Sequence, residues 1–204
     1  MPLIKPVVGL DIDGTIGMYH DHFITFAEAW TGKEMRLGYD GADSLAKWCG
    51  ISKATYRQVK LAYRQGGLKR SMPVYSGSRE LAAGLRRAGA EVVICTTRPY
   101  LHLSNIEPDT AHWLRRNRIQ HDGLIMGEHK YRQLAREYGK ENIVMVLDDL
   151  PEQMDVALAV GLPAVLRLNG HNRIGAERYE SVQNLTEAHL LGVQRISDWT
   201  WRVK

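Results

Sequence analysis

The chain has 204 residues, of which 44% are hydrophobic and 25% are charged, with a formal net charge of +4 and a pI of about 9.1. This length suits one α/β domain with a modest insertion and favours a single unit over two independent domains. Two cysteines, one of them Cys95 within a predicted buried strand, exclude a disulfide framework. Pro2, Lys5 and Pro6 interrupt the only apolar stretch near the N-terminus, so no secretion signal or membrane span is predicted, and we expect a soluble, cytoplasmic protein.

The first predicted element is a strand near residues 6–10 that ends in two carboxylates, Asp11 and Asp13, followed by Gly14. Side chains alternate along an extended backbone, so both carboxylates point to the same side. Gly14 lets the chain turn away without a Cβ clash. A divalent cation and a phosphate can be held together at such a site.

This motif has two other interpretations. Acids that merely cap a turn are an alternative that the motif alone leaves open. A calcium loop is excluded by spacing, because the fifth and twelfth positions counted from Asp11 are Thr15 and His22, where such a loop needs other oxygen ligands.

A stretch without strands follows, from residue 16 to about residue 74. Helix-like segments are predicted there near 20–31, 42–49 and 52–65. Its aromatic side chains include Trp30, Tyr39 and Trp48, which can either stack on a ligand or form the core of this segment.

Basic side chains are concentrated between Lys53 and Arg87, where Glu80 is the single acid. Such a bias attracts anionic substrates. Because Arg57 and Arg64 recur at helical spacing, a solvated helix face is an equally good explanation.

From residue 77 onward, predicted helices and strands alternate, which indicates a parallel sheet covered by helices on both faces. The strands lie near 91–96, 123–126, 142–147 and 163–168, and the helices near 77–89, 108–117, 129–139 and 152–160. A last helix is predicted over Leu185 to Val193, and Trp199 and Trp201 are expected to pack on the body of the protein.

Polar side chains stand where three of these later elements begin or end. The strand near 91–96 ends in Thr96, Thr97 and Arg98, and the strand near 142–147 ends in Asp148 and Asp149. Ligands of parallel α/β sheets gather outside the carboxyl ends of the strands, which is where these groups fall.

A lysine completes this set. Lys130 stands near the start of an amphipathic stretch, whereas its rival Lys140 follows Gly139 at a predicted helix end and is typical of a C-terminal cation. Lys130 is therefore preferred.

The order of acid pair, threonine, lysine and acid pair resembles the haloacid dehalogenase-like superfamily of phosphatases over nearly the whole chain. The resemblance implies a Rossmann-like α/β fold, a parallel sheet with helices on both faces and a small helical cap inserted after the first strand. Residues 1–15 and 75–204 would then form the catalytic core and residues 16–74 the cap.

The resemblance also implies roles for the acids, the threonine and the lysine of this motif. Asp11 would be the nucleophile that forms an aspartyl-phosphate, and Asp13 the general acid and then the base that activates water. Mg²⁺ would be held by Asp11, the backbone carbonyl of Asp13 and the pair Asp148 and Asp149. Thr96 and Lys130 would hold the non-bridging phosphate oxygens.

A closer resemblance concerns the substrate. Gly66-Gly67-Leu68, the run from Met72 to Gly77 and the strand end Ile94-Cys95-Thr96-Thr97 look like those of the 5'(3')-deoxyribonucleotidases. This resemblance implies a nucleoside monophosphate whose base stacks on cap aromatics. The substrate-binding candidates are Thr97, Arg98, Trp30, Tyr39 and Trp48.

Two alternatives stay open. The stretch from Thr110 to Leu114, with Asn117 and Asp122-Gly123-Leu124, is similar to the phosphatase half of polynucleotide kinase/phosphatases, and the basic balance suits a nucleic-acid 3' end. No Walker-type phosphate loop occurs in the chain, so a kinase half is absent. A catalytically idle phosphate- or nucleotide-binding module is the other alternative, although it has no need of two acids beside the phosphate.

Overall fold

A six-stranded parallel sheet forms the centre of the computed structural model, which describes residues 4–99 and 101–203. The strands lie in the order β3-β2-β1-β4-β5-β6. Their bounds are β1 Val7–Leu10, β2 Glu91–Thr96, β3 Gly123–Met126, β4 Ile143–Asp148, β5 Ala164–Arg167 and β6 Ser181–Val182. The first five agree with the predicted strands. Four of them are mostly apolar runs buried on both faces, as a parallel sheet requires, whereas the edge strand β3 is part-buried in its first half.

Helices cover both faces of this sheet. The helices are α1 Tyr19–Thr31, α2 Leu45–Trp48, α3 Lys53–Gln65, α4 Ser78–Arg87, α5 Ile106–Arg116, α6 Lys130–Tyr138, α7 Pro151–Ala159 and α8 Leu185–Val203. One face packs against α4, α5 and α8, with Leu85, Trp113 and Ile196 in a shared core. The other face packs against α6 and α7 through side chains such as Leu134 and Met154. The predicted α/β fold with helices on both faces is confirmed.

Helices α1 to α3 belong to the segment between β1 and α4 and have a core of their own. Phe23, Val59 and Tyr63 are fully buried in it, together with Ile24 and Ala27. The division into a core of residues 1–15 and 75–204 and a cap of residues 16–74 stays a prediction. We call residues 16–74 the cap.

The structure differs from the prediction mainly near the C-terminus. Strand β6 was not predicted, because two residues give no readable alternation. Helix α8 continues to Val203 instead of ending near residue 193. Trp199 packs on the core and donates to the carbonyl of Glu141, but Trp201 is 81% exposed, so its expected packing is wrong.

The register of the central strands brings the polar groups together. In β1, Leu10 lies beside Ile94 of β2 and Leu147 of β4. The amide of Asp11 donates to the carbonyl of Leu147 at 3.0 Å, so the carboxyl ends of β1 and β4 stand side by side.

Candidate active site

Three buried carboxylates converge at the carboxyl ends of β1 and β4. Asp11 is 5% exposed, and Asp148 and Asp149 are fully buried. Each offers an oxygen within 4.8 Å of the others. The sequence-predicted acids therefore meet in one place, with the exception of the Asp13 carboxylate, which points to other partners.

Lys130 enters this acid cluster from the start of α6. Its Nζ donates to Asp11 Oδ1 at 2.6 Å and to Asp148 Oδ2 at 2.5 Å. Burial favours the neutral amine, but the two carboxylates outweigh it and raise the pKa of Lys130. Lys140, the rival considered from the sequence, is exposed.

Tyr131 is a further member of the site that the sequence did not single out. Its hydroxyl donates to Asp148 Oδ2 at 2.6 Å, and its ring is fully buried. Since Tyr131 follows Lys130 directly, the helix start supplies two donors to the same carboxylate.

The electrostatics of Asp11 reflect this crowding. Burial raises the pKa of Asp11 well above its ordinary value, the Lys130 ammonium opposes that rise, and the neighbouring carboxylates of Asp148 and Asp149 add to it. A bound cation would counter both the burial and the repulsion.

The donor set fits Mg²⁺, which prefers carboxylate and carbonyl oxygens. Asp149 Oδ2 is buried and has no hydrogen-bond partner within residues 4–99 and 101–203, whereas its Oδ1 accepts from Thr15 Oγ1 at 3.0 Å. A Cβ at Gly14 would lie 1.9 Å from Asp149 Oδ2. The turn after β1 can therefore approach the Asp149 carboxylate only because residue 14 is glycine. The residues that would hold Mg²⁺ are thus Asp11, Asp148 and Asp149.

The turn itself is anchored by the loop after β5. Asn169 Nδ2 donates to the Gly14 carbonyl at 2.8 Å, and Arg167 Nη1 donates to the same oxygen at 3.2 Å. No sequence signal pointed to Asn169, because its contact joins residues far apart in the chain.

The Asp13 carboxylate is held by two buried cations. Arg98 Nη2 donates to Oδ1 at 2.7 Å and its Nε to Oδ2 at 3.2 Å, and Lys69 from the cap donates to Oδ2. Burial works against ionisation, but Arg98 and Lys69 prevail and hold the pKa of Asp13 well below its usual range. Burial lowers the pKa of Lys69 to about 7, although Asp13 opposes that shift. In the sequence, Lys69 stands out only as one of the basic residues between Lys53 and Arg87.

Arg98 is fixed from behind by α5. Its Nη1 donates to Thr110 Oγ1 at 3.0 Å, and the guanidinium lies 5.8 Å from the centre of the Trp113 ring. Trp113 is fully buried and donates to the carbonyl of Met72 at 2.7 Å. These contacts give the Thr110 to Leu114 stretch a structural role.

The two threonines of the β2 end differ in exposure. Thr96 is the last residue of β2 and is buried, whereas Thr97 is half-buried. Thr97 and Arg98 line a cavity of about 360 Å³ with Met126, Gly127 and His129. Thr97 is therefore accessible from this cavity, as a substrate-binding residue must be.

The predicted cap aromatics are placed differently from one another. Tyr39 packs at 5.2 Å from the His20 ring, and Trp48 packs edge-on against Tyr39 at 5.8 Å. Trp30 is 47% exposed and lies ten residues beyond His20 in α1, about 15 Å along the helix axis. The structure thus brings Tyr39 and Trp48 together and leaves Trp30 apart from them.

Two histidines complete the surroundings of Asp149. His171 Nε2 lies 2.9 Å from Asp149 Oδ2, and the rings of His20 and His171 are 4.2 Å apart. Burial, aided by His171, lowers the pKa of His20 to about 3. Neither histidine was predicted from the sequence, which offers no local motif for them.

Several solved structures share this fold. A haloacid dehalogenase-like family hydrolase from Streptococcus pneumoniae aligns with a TM-score of 0.62 at 14% identity, over 90% of this chain and 96% of that chain. A predicted phosphatase from Clostridium acetobutylicum aligns with a TM-score of 0.64 at 12% identity, over 92% and 98%. A predicted phosphoglycolate phosphatase from Haemophilus somnus aligns with a TM-score of 0.60 at 15% identity, over 92% and 98%.

These identities are low, so the likeness establishes the fold: it is the fold of haloacid dehalogenase-superfamily hydrolases and phosphatases. No family model and no curated protein matches the sequence. Within the described part of the chain, no helix has the length and apolar character needed to cross a membrane.

Proposed function

We propose that this protein is a Mg²⁺-dependent phosphomonoesterase that works through a phosphorylated Asp11. The observation that carries the proposal is the buried cluster in which Lys130 bridges Asp11 and Asp148, while Asp149 Oδ2 accepts no hydrogen bond from the described residues. A merely structural role for three buried carboxylates is hard to reconcile with their mutual repulsion.

The residues divide the reaction between them. A carboxylate oxygen of Asp11 attacks phosphorus and the bond to the leaving oxygen breaks, with a proton from Asp13 neutralising the alkoxide. Asp13 then accepts a proton from water as that water attacks the phosphorus of the aspartyl-phosphate and frees Asp11. Mg²⁺, held by Asp11, Asp148 and Asp149, would neutralise charge on the phosphoryl oxygens.

Lys130 and Thr96 would support the same transfer. The Lys130 ammonium is already positioned at Asp11 and would offset charge that spreads over the phosphoryl oxygens. Thr96, at the end of the neighbouring strand β2, would donate its hydroxyl to one of them.

Asp13 must hold a proton before it can give one, and the cations beside it resist this. An anionic group of the substrate that draws Lys69 or Arg98 away would raise the pKa of Asp13 at the moment the proton is needed. This coupling favours substrates that carry negative charge close to the scissile bond.

For the substrate, we propose nucleotides, and deoxynucleoside monophosphates in particular. The resemblance of the segments 66–68, 72–77 and 94–97 to the deoxyribonucleotidases supports this class. Tyr39 and Trp48 supply aromatic surface in the cap, and the presence of Thr97 and Arg98 in the lining of one cavity supports their proposed contact with substrate. Trp30 stays a weaker candidate because of its distance from His20.

A second candidate substrate class is a small non-nucleotide phosphate ester with a further anionic group. The pair Lys69 and Arg98 favours it, because two buried cations face one carboxylate. Among the similar structures, CbbY from Rhodobacter sphaeroides, aligned with a TM-score of 0.58 at 17% identity, is described in complex with xylulose-1,5-bisphosphate.

The polynucleotide 3'-phosphatase alternative loses part of its basis. Thr110 and Trp113, which suggested it, are buried supports of Arg98 and the core. The basic balance is what still favours a nucleic-acid end.

The deciding experiment measures phosphate release with and without Mg²⁺. The panel comprises deoxy- and ribonucleoside monophosphates, a 3'-phosphorylated DNA oligonucleotide, phosphoglycolate and a sugar bisphosphate. The largest kcat/KM for the mononucleotides supports the nucleotidase proposal, and a preference for any other member replaces it with that class. No release from any member would favour the idle binding module.

Asp11→Asn tests the nucleophile. We expect turnover to fall to the background rate with the circular dichroism spectrum unchanged, because the amide cannot attack phosphorus. Asp198→Asn, on the exposed side of α8, is the matched control and should keep full activity. Near-normal turnover by Asp11→Asn would overturn the assignment.

A further inference from the structure

A second group of metal-ligating side chains lies beside the acid cluster. His20, His171 and Asp149 each offer a ligand atom within 4.8 Å of the others. The His171 side chain is 8% exposed and Asp149 is fully buried. His171 Nε2 and Asp149 Oδ2 are 2.9 Å apart but are not aligned for a hydrogen bond, and neither has another partner in the described ranges.

An unpaired imidazole nitrogen buried against an unpaired carboxylate oxygen is costly unless something joins them. A metal ion satisfies both atoms at once. In a tetrahedral site with bonds of about 2.0 Å, ligand atoms lie about 3.3 Å apart, close to the separation found here. The ring of His20 lies 4.2 Å from that of His171 and offers a third ligand atom within 4.8 Å of the other two.

The ligands are well anchored. His171 belongs to the 3₁₀ turn Gly170–Asn172, and Asn172 Nδ2 holds that turn by donating to the carbonyls of Asp149 at 2.6 Å and Arg167 at 2.8 Å. Tyr39 stacks on the His171 ring at 6.0 Å with an interplanar angle of 11°. The turn and the ring are therefore fixed before any ion binds.

We propose that His20, His171 and Asp149 form a binding site for a transition-metal ion of the Zn²⁺ type. Two imidazoles and one carboxylate select Zn²⁺, Co²⁺ or Ni²⁺ over Mg²⁺, which prefers oxygen ligands. His20 lies in α1 of the cap and His171 in the loop after β5, so the ion ties the cap to the sheet. Asp149 is shared with the acid cluster, so Zn²⁺ bound here also weakens Mg²⁺ binding.

Zn²⁺ uptake by the full chain tests this site. In the absence of Mg²⁺, calorimetric titration should show Zn²⁺ uptake, and added Mg²⁺ should compete with it because both ions use Asp149. His20→Ala and His171→Ala should each weaken that binding at least about tenfold, whereas His22→Ala, which removes a histidine two residues along the same helix, should not. Near-ultraviolet circular dichroism establishes that each variant is folded.

Co²⁺ provides a second readout. Nitrogen-ligated Co²⁺ of low coordination number absorbs strongly in the visible range, and we expect these bands in the wild type and in His22→Ala but not in His20→Ala or His171→Ala. Asp11→Asn should retain the bands, which separates this site from the acid cluster.

The outcomes are distinct from those of the phosphatase assay. No Zn²⁺ uptake by the folded wild type, or uptake that His20→Ala leaves unchanged, overturns the proposal and makes the His171 contact a simple ion pair. Mg²⁺-dependent phosphate release from the same samples reports on the proposed function independently.

Discussion

The carboxylate of Asp13 is held between two cations that come from different parts of the chain. Arg98 follows β2, whereas Lys69 lies in a 3₁₀ turn, Leu68–Ser71, at the end of the cap. Both side chains are buried, so their charges act on Asp13 with little screening by water. The ionisation of Asp13 therefore depends on where the cap places Lys69.

Lys69→Met should raise the pKa of Asp13. Removing one of two cations beside a carboxylate changes its pKa by about one pH unit or more. Carbon-13 NMR of the aspartate carboxyl groups measures the change directly. Lys53→Met, at an exposed cap lysine at the start of α3, is the matched control and should leave the Asp13 titration in place. An unchanged Asp13 titration in Lys69→Met would show that Arg98 alone sets it.

Gly14→Ala should weaken both folding and Mg²⁺ binding. Gly14 has a φ of +99°, and its added Cβ would meet Asp149 Oδ2. Gly89→Ala is the control, because Gly89 has a φ of +102° with no atom within 4 Å of its added Cβ. Urea unfolding should show a loss of about 1–3 kcal/mol in both variants from backbone strain.

Calorimetry then separates the two glycine variants. Only Gly14→Ala should lose Mg²⁺ affinity, because only there does the methyl group displace a metal-binding carboxylate. Equal Mg²⁺ affinity in both variants would remove Asp149 from the metal site.

At the scale of elements, one exposed ion pair joins α4 to the start of β3. Arg86 donates to both oxygens of Asp122, which also accepts from the amide of Val92 in β2. Burial opposes the ionised form, but Arg86 and the Val92 amide together outweigh it and lower the pKa of Asp122.

The lowered pKa gives this contact a defined pH dependence. The unfolded chain takes up the Asp122 proton first, so the stabilisation is present above about pH 4 and is lost as the pH falls through the lower folded-state pKa. Asp122→Asn should cost about 0.5–1 kcal/mol near neutral pH and should flatten the acid decline of the unfolding free energy. Arg86→Gln should reproduce most of this effect. Identical acid slopes in all three proteins would contradict the assignment.

The elements also show which parts of the structure were predictable. The core strands were predictable, because a strand such as β4 is buried on both faces and is therefore apolar up to its final residue, Asp148. The proximity of Asp11 to Asp148 and Asp149 was also predictable, because the carboxyl ends of parallel strands lie at one edge of the sheet. The helix predicted near 42–49 begins only at Leu45. Ser44 caps its N-terminus, because the Ser44 side chain accepts from the Lys47 amide.

Contacts between distant segments could not be predicted. Lys69 reaches Asp13 across 56 positions, and His171 reaches Asp149 through a turn that Asn172 holds. Neither pairing leaves a periodic or spaced signal in the sequence. Helix α8 extends beyond its predicted end because Ile196 and Trp199 pack on the sheet, a tertiary effect that local patterns do not report.

On the scale of the whole molecule, the strand order concentrates charge at one point. Strand β1 lies between β2 and β4, so the two central crossovers leave in opposite directions and open a crevice above Asp11. The fold thus places three carboxylates together, with Lys130 as the common cation of Asp11 and Asp148. In the absence of a metal ion, the repulsion between these carboxylates lowers the free energy of unfolding, and contacts elsewhere in the molecule offset that loss.

Mg²⁺ should therefore stabilise the entire fold. An ion that binds the folded chain and not the unfolded one adds about 2.7 kcal/mol at a concentration of 100 times its Kd, which corresponds to a rise in Tm of about 5–10 °C for a chain of this size. Differential scanning calorimetry with Mg²⁺ and with a chelator measures the shift. Asp11→Asn should melt at least as high as the wild type without Mg²⁺, because it relieves repulsion, yet gain far less from the ion. A wild-type Tm that Mg²⁺ leaves unchanged would mean that the carboxylates are satisfied by Lys130 and Tyr131 alone.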